Sequence, residues 1–127
     1  MIMPSNIVIT AGSIRLEAEL NDTFTAQAIR NILPLTAAAN SWGDEIYFSI
    51  PMTLELENGQ EVVEMGDLGY WPPGRAFCIF FGTTPTSQGD EIRPASAVTV
   101  VGKVQGEVTT LKQVSAGEQV SIEAATE

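Results

Sequence analysis

The 127-residue chain has no histidine, one cysteine (Cys78), and only 6 lysine and arginine residues against 16 acidic ones. Each shortage excludes a class of chemistry. Without histidine there is neither the commonest zinc ligand nor the commonest general base, so a histidine triad and a histidine-built zinc hydrolase are ruled out. No metal site and no cofactor is expected, and of metal chemistries only a carboxylate site for magnesium or calcium stays open. A single cysteine cannot close an internal disulfide, which fits a reducing, cytoplasmic setting. The net charge of -10 repels phosphate backbones and anionic membrane surfaces, so neither nucleic acid nor membrane is an expected partner. That charge favours solubility and is compatible with a cationic partner. No apolar run approaches the length of a membrane span. Met1 to Asn6 lack the cationic region and apolar run of a signal peptide.

What is present is enough for a core: 44% of the residues are hydrophobic and 17% charged, in a length that suits one domain over residues 1–127. Met3 to Leu20 reads as strand material. Ile14, Leu16, Ala18 and Leu20 alternate with Arg15, Glu17 and Glu19, and a Gly12-Ser13 turn makes a hairpin with Ile7–Ile9. Asn21-Asp22-Thr23 offers helix caps. The segment Thr23 to Leu33 then carries Phe24, Ala28, Ile29, Ile32 and Leu33 at helical spacing, and Pro34 ends it. This helix is expected to cap a barrel end.

Ala37 to Gly43 reads as a loop holding Trp42. Glu45 to Ile50 alternates as a strand with Ile46, Phe48 and Ile50 on one face and Glu45, Tyr47 and Ser49 on the other. A continuation at Leu54–Leu56, a turn at Asn58-Gly59 and a partner strand at Gln60–Glu64 are expected next. Gly66 to Gly74, dense in glycine, proline and aromatics, reads as a loop. Ala76 to Phe81 is a continuous apolar run, the mark of a strand buried on both faces. A polar loop (Thr83–Asp90) and a helical turn (Pro94–Ala97) lead to Val98–Val104, a strand broken at Gly102. Short strands at Val108–Val114 and Glu118–Ile122 and a frayed tail complete the reading. Many short strands, one helix and glycine-rich turns point to a mainly β fold, a barrel.

Three clusters carry candidate chemistry. In Gly66–Arg75, Tyr70 and Trp71 offer apolar surfaces and Arg75 a fork for a carboxylate or phosphate, a composition that lines small-molecule pockets and equally suits a packed structural loop. In Trp42-Gly43-Asp44-Glu45, adjacent carboxylates on a strand point to opposite faces and do not make a dyad. An acid–base role for Glu45 requires burial in an apolar pocket, and a wet strand edge is the alternative. Gly82 to Ser87 carries four hydroxyls that suit an oxyanion or, more simply, turn chemistry. Cys78, inside an apolar run, reads as an inert buried thiol. Arg93 suits a carboxylate across the barrel mouth or a structural ion pair. The candidate pocket is thus Trp42, Glu45, Tyr47, Tyr70, Trp71, Arg75 and Arg93.

Several of these blocks resemble a known fold. The strand Ile14–Leu20 with the segment Asn21–Leu33 resembles the first strand and helix of cyclophilins, and Val100–Gly106 resembles their late Val-Phe-Gly-Lys-Val strand and turn. Trp42–Phe48, Gly66–Pro72 with Cys78–Gly82, and Ile92–Ser96 together resemble the small prokaryotic cyclophilin-like family of uncharacterised function. The resemblance implies a closed eight-stranded barrel. It does not carry isomerase activity. The strand that holds the cyclophilin arginine reads Glu45-Ile46-Tyr47-Phe48 here, and Ala76-Phe77-Cys78-Ile79 lacks the cyclophilin glutamine. The cyclophilin tryptophan and histidine have no counterparts around Arg93–Ser96. Losing these groups removes the electrostatic part of isomerisation. Three functions follow as expectations: a barrel binding a small molecule or peptide, a divergent isomerase or other small enzyme using Glu45 and Arg75, and an assembly subunit that forms oligomers.

Overall fold

A computed structural model describes residues 5–125 of the chain. The strand expected from Met3 and the frayed tail fall partly outside them. Nine strands form one sheet: β1 (Ser5–Ala11), β2 (Ile14–Leu20), β3 (Leu35–Ala38), β4 (Asn40–Ser41), β5 (Glu45–Ser49), β6 (Asp67–Trp71), β7 (Ala76–Phe80), β8 (Thr99–Gln105) and β9 (Gln119–Ala124). The order across the sheet is β3-β9-β1-β2-β8-β6-β7-β5-β4. The two outermost strands are consecutive in the chain, so the sheet curls into a nearly closed barrel. The expected count of eight becomes nine because the segment from Leu35 to Ser41 changes partner at Ala39, pairing with β9 before it and with β5 after it. The loop expected over Ala37–Gly43 is therefore mostly strand.

The hairpin β1–β2 forms as its alternation requires, with Ile7 opposite Ala18 and Ile9 opposite Leu16. These side chains, with Ile46, Phe48, Phe77 and Ile79, fill the barrel interior. The rings of Phe48 and Phe77, directly paired across β5 and β7, stack at 5.6 Å between centroids.

The helix α1 (Phe24–Asn31) starts where the caps allow. Thr23 accepts from the Ala26 amide at 3.0 Å, and Asn21 accepts from the Thr23 amide at 3.1 Å. The Glu57 carboxylate adds a long-range cap, taking the Phe24 and Thr25 amides at 3.1 and 3.0 Å. These bonds hold its pKa below the usual carboxylate range. Ala26 and Ile29 pack onto the interior cluster, but Phe24 is 80% exposed. Five residues apart on a helix is about 140° of rotation, so Phe24 and Ile29 cannot both face inward. No helix among the described residues is long and apolar enough to cross a membrane.

Five further expectations are corrected. The span Gly66–Gly74 is not a loop: Asp67–Trp71 is a strand in the middle of the sheet, between β7 and β8, and only Pro72–Gly74 leaves it as a 3-10 turn. Val108–Gln113 is a 3-10 helix rather than a strand, and Val108 and Leu111 anchor it on the core. Strand β8 runs through Gly102 unbroken, because β2 approaches so closely that a Cβ there would collide with the Glu19 carbonyl. The irregularity lies across from it, as a register shift between Leu68 and Gly69. Residues 60–64 make only isolated bridges, Gln60 to Val98 and Val63 to Ile92, and 94–97 is a bend without a helical turn.

Candidate functional site

The strands that bury Ile46, Phe48, Phe77 and Ile79 inside the barrel turn their alternate side chains outward. Tyr47 on β5 pairs with Cys78 on β7, which pairs with Gly69 on β6, and Trp71 pairs with Ala76. One outer row therefore holds Glu45, Tyr47, Cys78, Gly69, Ala76 and Trp71. Glycine, alanine and cysteine are short, so the centre of this row is a depression between aromatic walls. The depression is partly covered. Gln60 and Val98 exchange backbone hydrogen bonds at 2.8 and 3.0 Å, and Val63 donates to the Ile92 carbonyl at 2.9 Å. Val63, Ile92 and Val98 join Ala76, Cys78 and Phe80 in a second apolar cluster outside the barrel.

A cavity of about 210 Å³ remains under this cover, lined by Trp42, Glu45, Tyr47, Trp71, Pro94, Ala95 and Val98. Trp42 reaches it through a tight turn. Its amide donates to the Glu45 carbonyl at 3.0 Å, and Gly43 takes the left-handed conformation at φ 62° that the turn needs. The pairing of Ser41 with Ile46 then sets Trp42 opposite Glu45 on the same face. The indole N–H of Trp71 donates to Ser96 Oγ at 2.7 Å and fixes the opposite wall.

Glu45 is the carboxylate of this cavity and is 6% exposed. Loss of hydration drives its pKa up to about 7, and a hydrogen bond with the Cys78 thiol offsets this only in part. Burial, followed by the charge of Glu45, raises the thiol pKa well above its usual value, so Cys78 stays neutral and inert. Asp44 turns elsewhere, with Lys112 Nζ at 3.7 Å. The two adjacent carboxylates therefore do not act as a pair.

Of the residues singled out in the sequence, Trp42, Glu45, Tyr47 and Trp71 come together. Tyr70 points into the barrel instead, donating to the Met52 carbonyl at 3.0 Å and accepting from the Leu54 amide at 3.2 Å. Arg75 is exposed and left-handed (φ 48°), capping the 3-10 turn after β6. Because Glu45 is opposite Phe80, Arg75 lies five residues further along β7, about 16 Å at ~3.3 Å per residue. Arg93 borders a separate surface depression and pairs with Glu91 at 2.7 Å and Glu61 at 3.9 Å. The hydroxyls of Thr84 and Thr86 bond to the Arg93 carbonyl, and Ser87 Oγ accepts its amide at 3.1 Å. Their role is to hold the loop.

Pro94, Ala95 and Val98 were not legible as lining residues. The alternation Asp67, Gly69, Trp71 was the available signal for the floor, and it was hidden by the glycines and prolines around it. A larger open depression of about 570 Å³ lies between Glu19, Asn21, Gln60, Glu64 and Lys103. Its one cation, Lys103, is already bridged to Glu64 at 2.8 Å and Asp67 at 3.3 Å. The smaller, partly covered cavity is therefore the stronger site.

Comparison with known proteins agrees with this architecture. The cyclophilin-like family model matches residues 5–123, and the chain belongs to that family. It is similar to a hypothetical protein from Archaeoglobus fulgidus known by its solution structure. The two are 43% identical over 96% of this chain and 95% of that one, with a TM-score of 0.80. No functionally curated protein matches the sequence.

Proposed function

We propose that this cyclophilin-like barrel binds a small organic molecule, or one side chain of a peptide, in the cavity outside β5, β6 and β7. The supporting observation is that both tryptophans of the chain, a tyrosine and a buried carboxylate line one partly covered space. At ~30 Å³ per water, the space equals about seven water molecules, enough for one small organic group. Pockets of this kind combine apolar walls with a few polar groups that set orientation.

The test is a fragment screen followed by backbone amide shift mapping. Intrinsic fluorescence reports directly, because Trp42 and Trp71 are the only tryptophans. Ligands are expected to quench the emission and to shift amides at 42–47, 71 and 95–98. Hits that map elsewhere, with these amides silent, would overturn the proposal.

A second reading is favoured by the pKa of Glu45, about 7, which suits a group that carries protons at neutral pH. In that reading Glu45 works alone, because Arg75 is exposed outside the cavity. Turnover of a bound fragment, abolished by Glu45→Gln with binding retained, would establish it.

A further inference from the structure

We propose that the ligand of the partly covered cavity is an organic cation, an alkylammonium group seated among Trp42, Tyr47 and Trp71 with Glu45 as its counter-ion. The proposal rests on the binding reading above and adds the chemical class. Among the described residues, three aromatic side chains and one carboxylate line the space, and no lysine or arginine does. Aromatic faces attract ammonium groups, and the attraction grows when water is excluded. An anionic ligand would meet Glu45 with no cation to offset it.

The surrounding charges agree. From β7 the only titratable neighbour is the neutral Cys78 thiol. On the turn before β5, Asp44 is paired with Lys112, and on the far side of the cover Arg93 is held by Glu91 and Glu61. Glu45 is thus a buried acid beside a neutral thiol. A bound ammonium supplies the missing charge and favours the carboxylate form, so binding releases a proton near neutral pH. The net charge of -10 raises the local concentration of cations in the same direction.

The test compares phenyltrimethylammonium with its uncharged isostere tert-butylbenzene and with benzoate, following tryptophan fluorescence of the full chain. The cation is expected to bind about tenfold or more tightly than the isostere. Its affinity should rise about fivefold or more between pH 5.5 and pH 8, as Glu45 ionises. Glu45→Gln should abolish the pH dependence and reduce that preference to what the aromatic faces alone supply, while leaving the isostere's binding intact. The pH series needs no variant, so it stands even if Glu45→Gln folds poorly. n-Butylammonium against N-acetyl-lysine methylamide assigns the source: tighter binding of the first indicates a free amine, and of the second a peptide side chain. Either supports the cation. If tert-butylbenzene or benzoate binds as well as the cation, the cavity is a binding site but the cation assignment is overturned. If no probe perturbs Trp42 or Trp71 while other fragments do, the assignment also fails. If nothing binds there at all, the binding reading fails with it.

Discussion

The two faces of the strands β5, β6 and β7 are built from the same residues in alternation, yet they pack differently. Inward, Ile46, Phe48, Leu68, Tyr70, Phe77 and Ile79 are large and fully enclosed, and Phe48 and Phe77 stack. Outward, Gly69, Ala76 and Cys78 are small, and the covering segments around Gln60–Val63 and Ile92–Val98 touch the sheet without filling the space above it. Interior packing stabilises the fold through area removed from water and leaves no room for a ligand. The outer face gives up part of that packing and buries a carboxylate instead. The contrast shows how one sheet can be a core on one side and a pocket on the other.

The comparison is broken most severely from the inside. Phe77→Ala should cost about 4 kcal/mol, because the cavity it leaves sits among rigid neighbours. Chemical denaturation would measure it, and a loss under 1 kcal/mol would show that the interior is not close-packed. The outer counterpart Cys78→Ala, one position along the same strand, should cost about 1 kcal/mol, since only a small side chain is removed.

Glu45→Gln should act in the opposite direction. The folded pKa, about 7, lies above the ordinary value of 4.5, so the folded state holds the proton more tightly. Stability from this group is complete below pH 4.5, falls as the pH rises from 4.5 to 7, and is flat above. The variant, which cannot ionise, should be more stable than wild type by roughly 3 kcal/mol at pH 8 and equal to it at pH 4. Denaturation at the two pH values checks this, and a difference independent of pH would refute the burial cost assigned to Glu45.

Outside both regions the effects shrink. Thr23→Ala removes a helix cap and should cost about 1 kcal/mol. Arg75→Ala should leave ligand affinity unchanged, because the side chain is exposed and does not line the cavity. A prolyl isomerisation assay on a proline peptide should show no rate above background in either wild type or this variant. Catalysis that disappeared with Arg75 would place the functional centre away from the pocket.

Period and run length carried most of the fold. The alternation in Ile14–Leu20 and Glu45–Ser49 and the apolar run Ala76–Phe80 match strands directly, because burial on one or two faces writes itself into every residue. Strand β6 was missed. Its glycine and the Pro72-Pro73-Gly74 end carry the composition of a loop, and only pairing on both sides makes Asp67–Trp71 a strand. The 3-10 helix at Val108–Gln113 was missed for the converse reason: β-branched residues suggest a strand, but the backbone closes on itself, the Thr110 amide donating to the Glu107 carbonyl at 3.1 Å and the Val114 amide to the Leu111 carbonyl at 3.0 Å.

The pocket divides in the same way. Trp42, Glu45, Tyr47 and Trp71 stood out by residue type, whereas Tyr70 and Arg75, as neighbours in one conspicuous run, were grouped with them only by proximity in sequence. By itself, the sequence determined the mainly β architecture, the net charge of -10 and the residue types available for chemistry. These follow from composition and local alternation. Only the tertiary structure decided that Trp42 faces Glu45, that Tyr70 turns into the core and that Arg75 stands apart. Side chains meet through cross-strand register and the return of a distant covering segment, and neither is encoded within a few residues of the site.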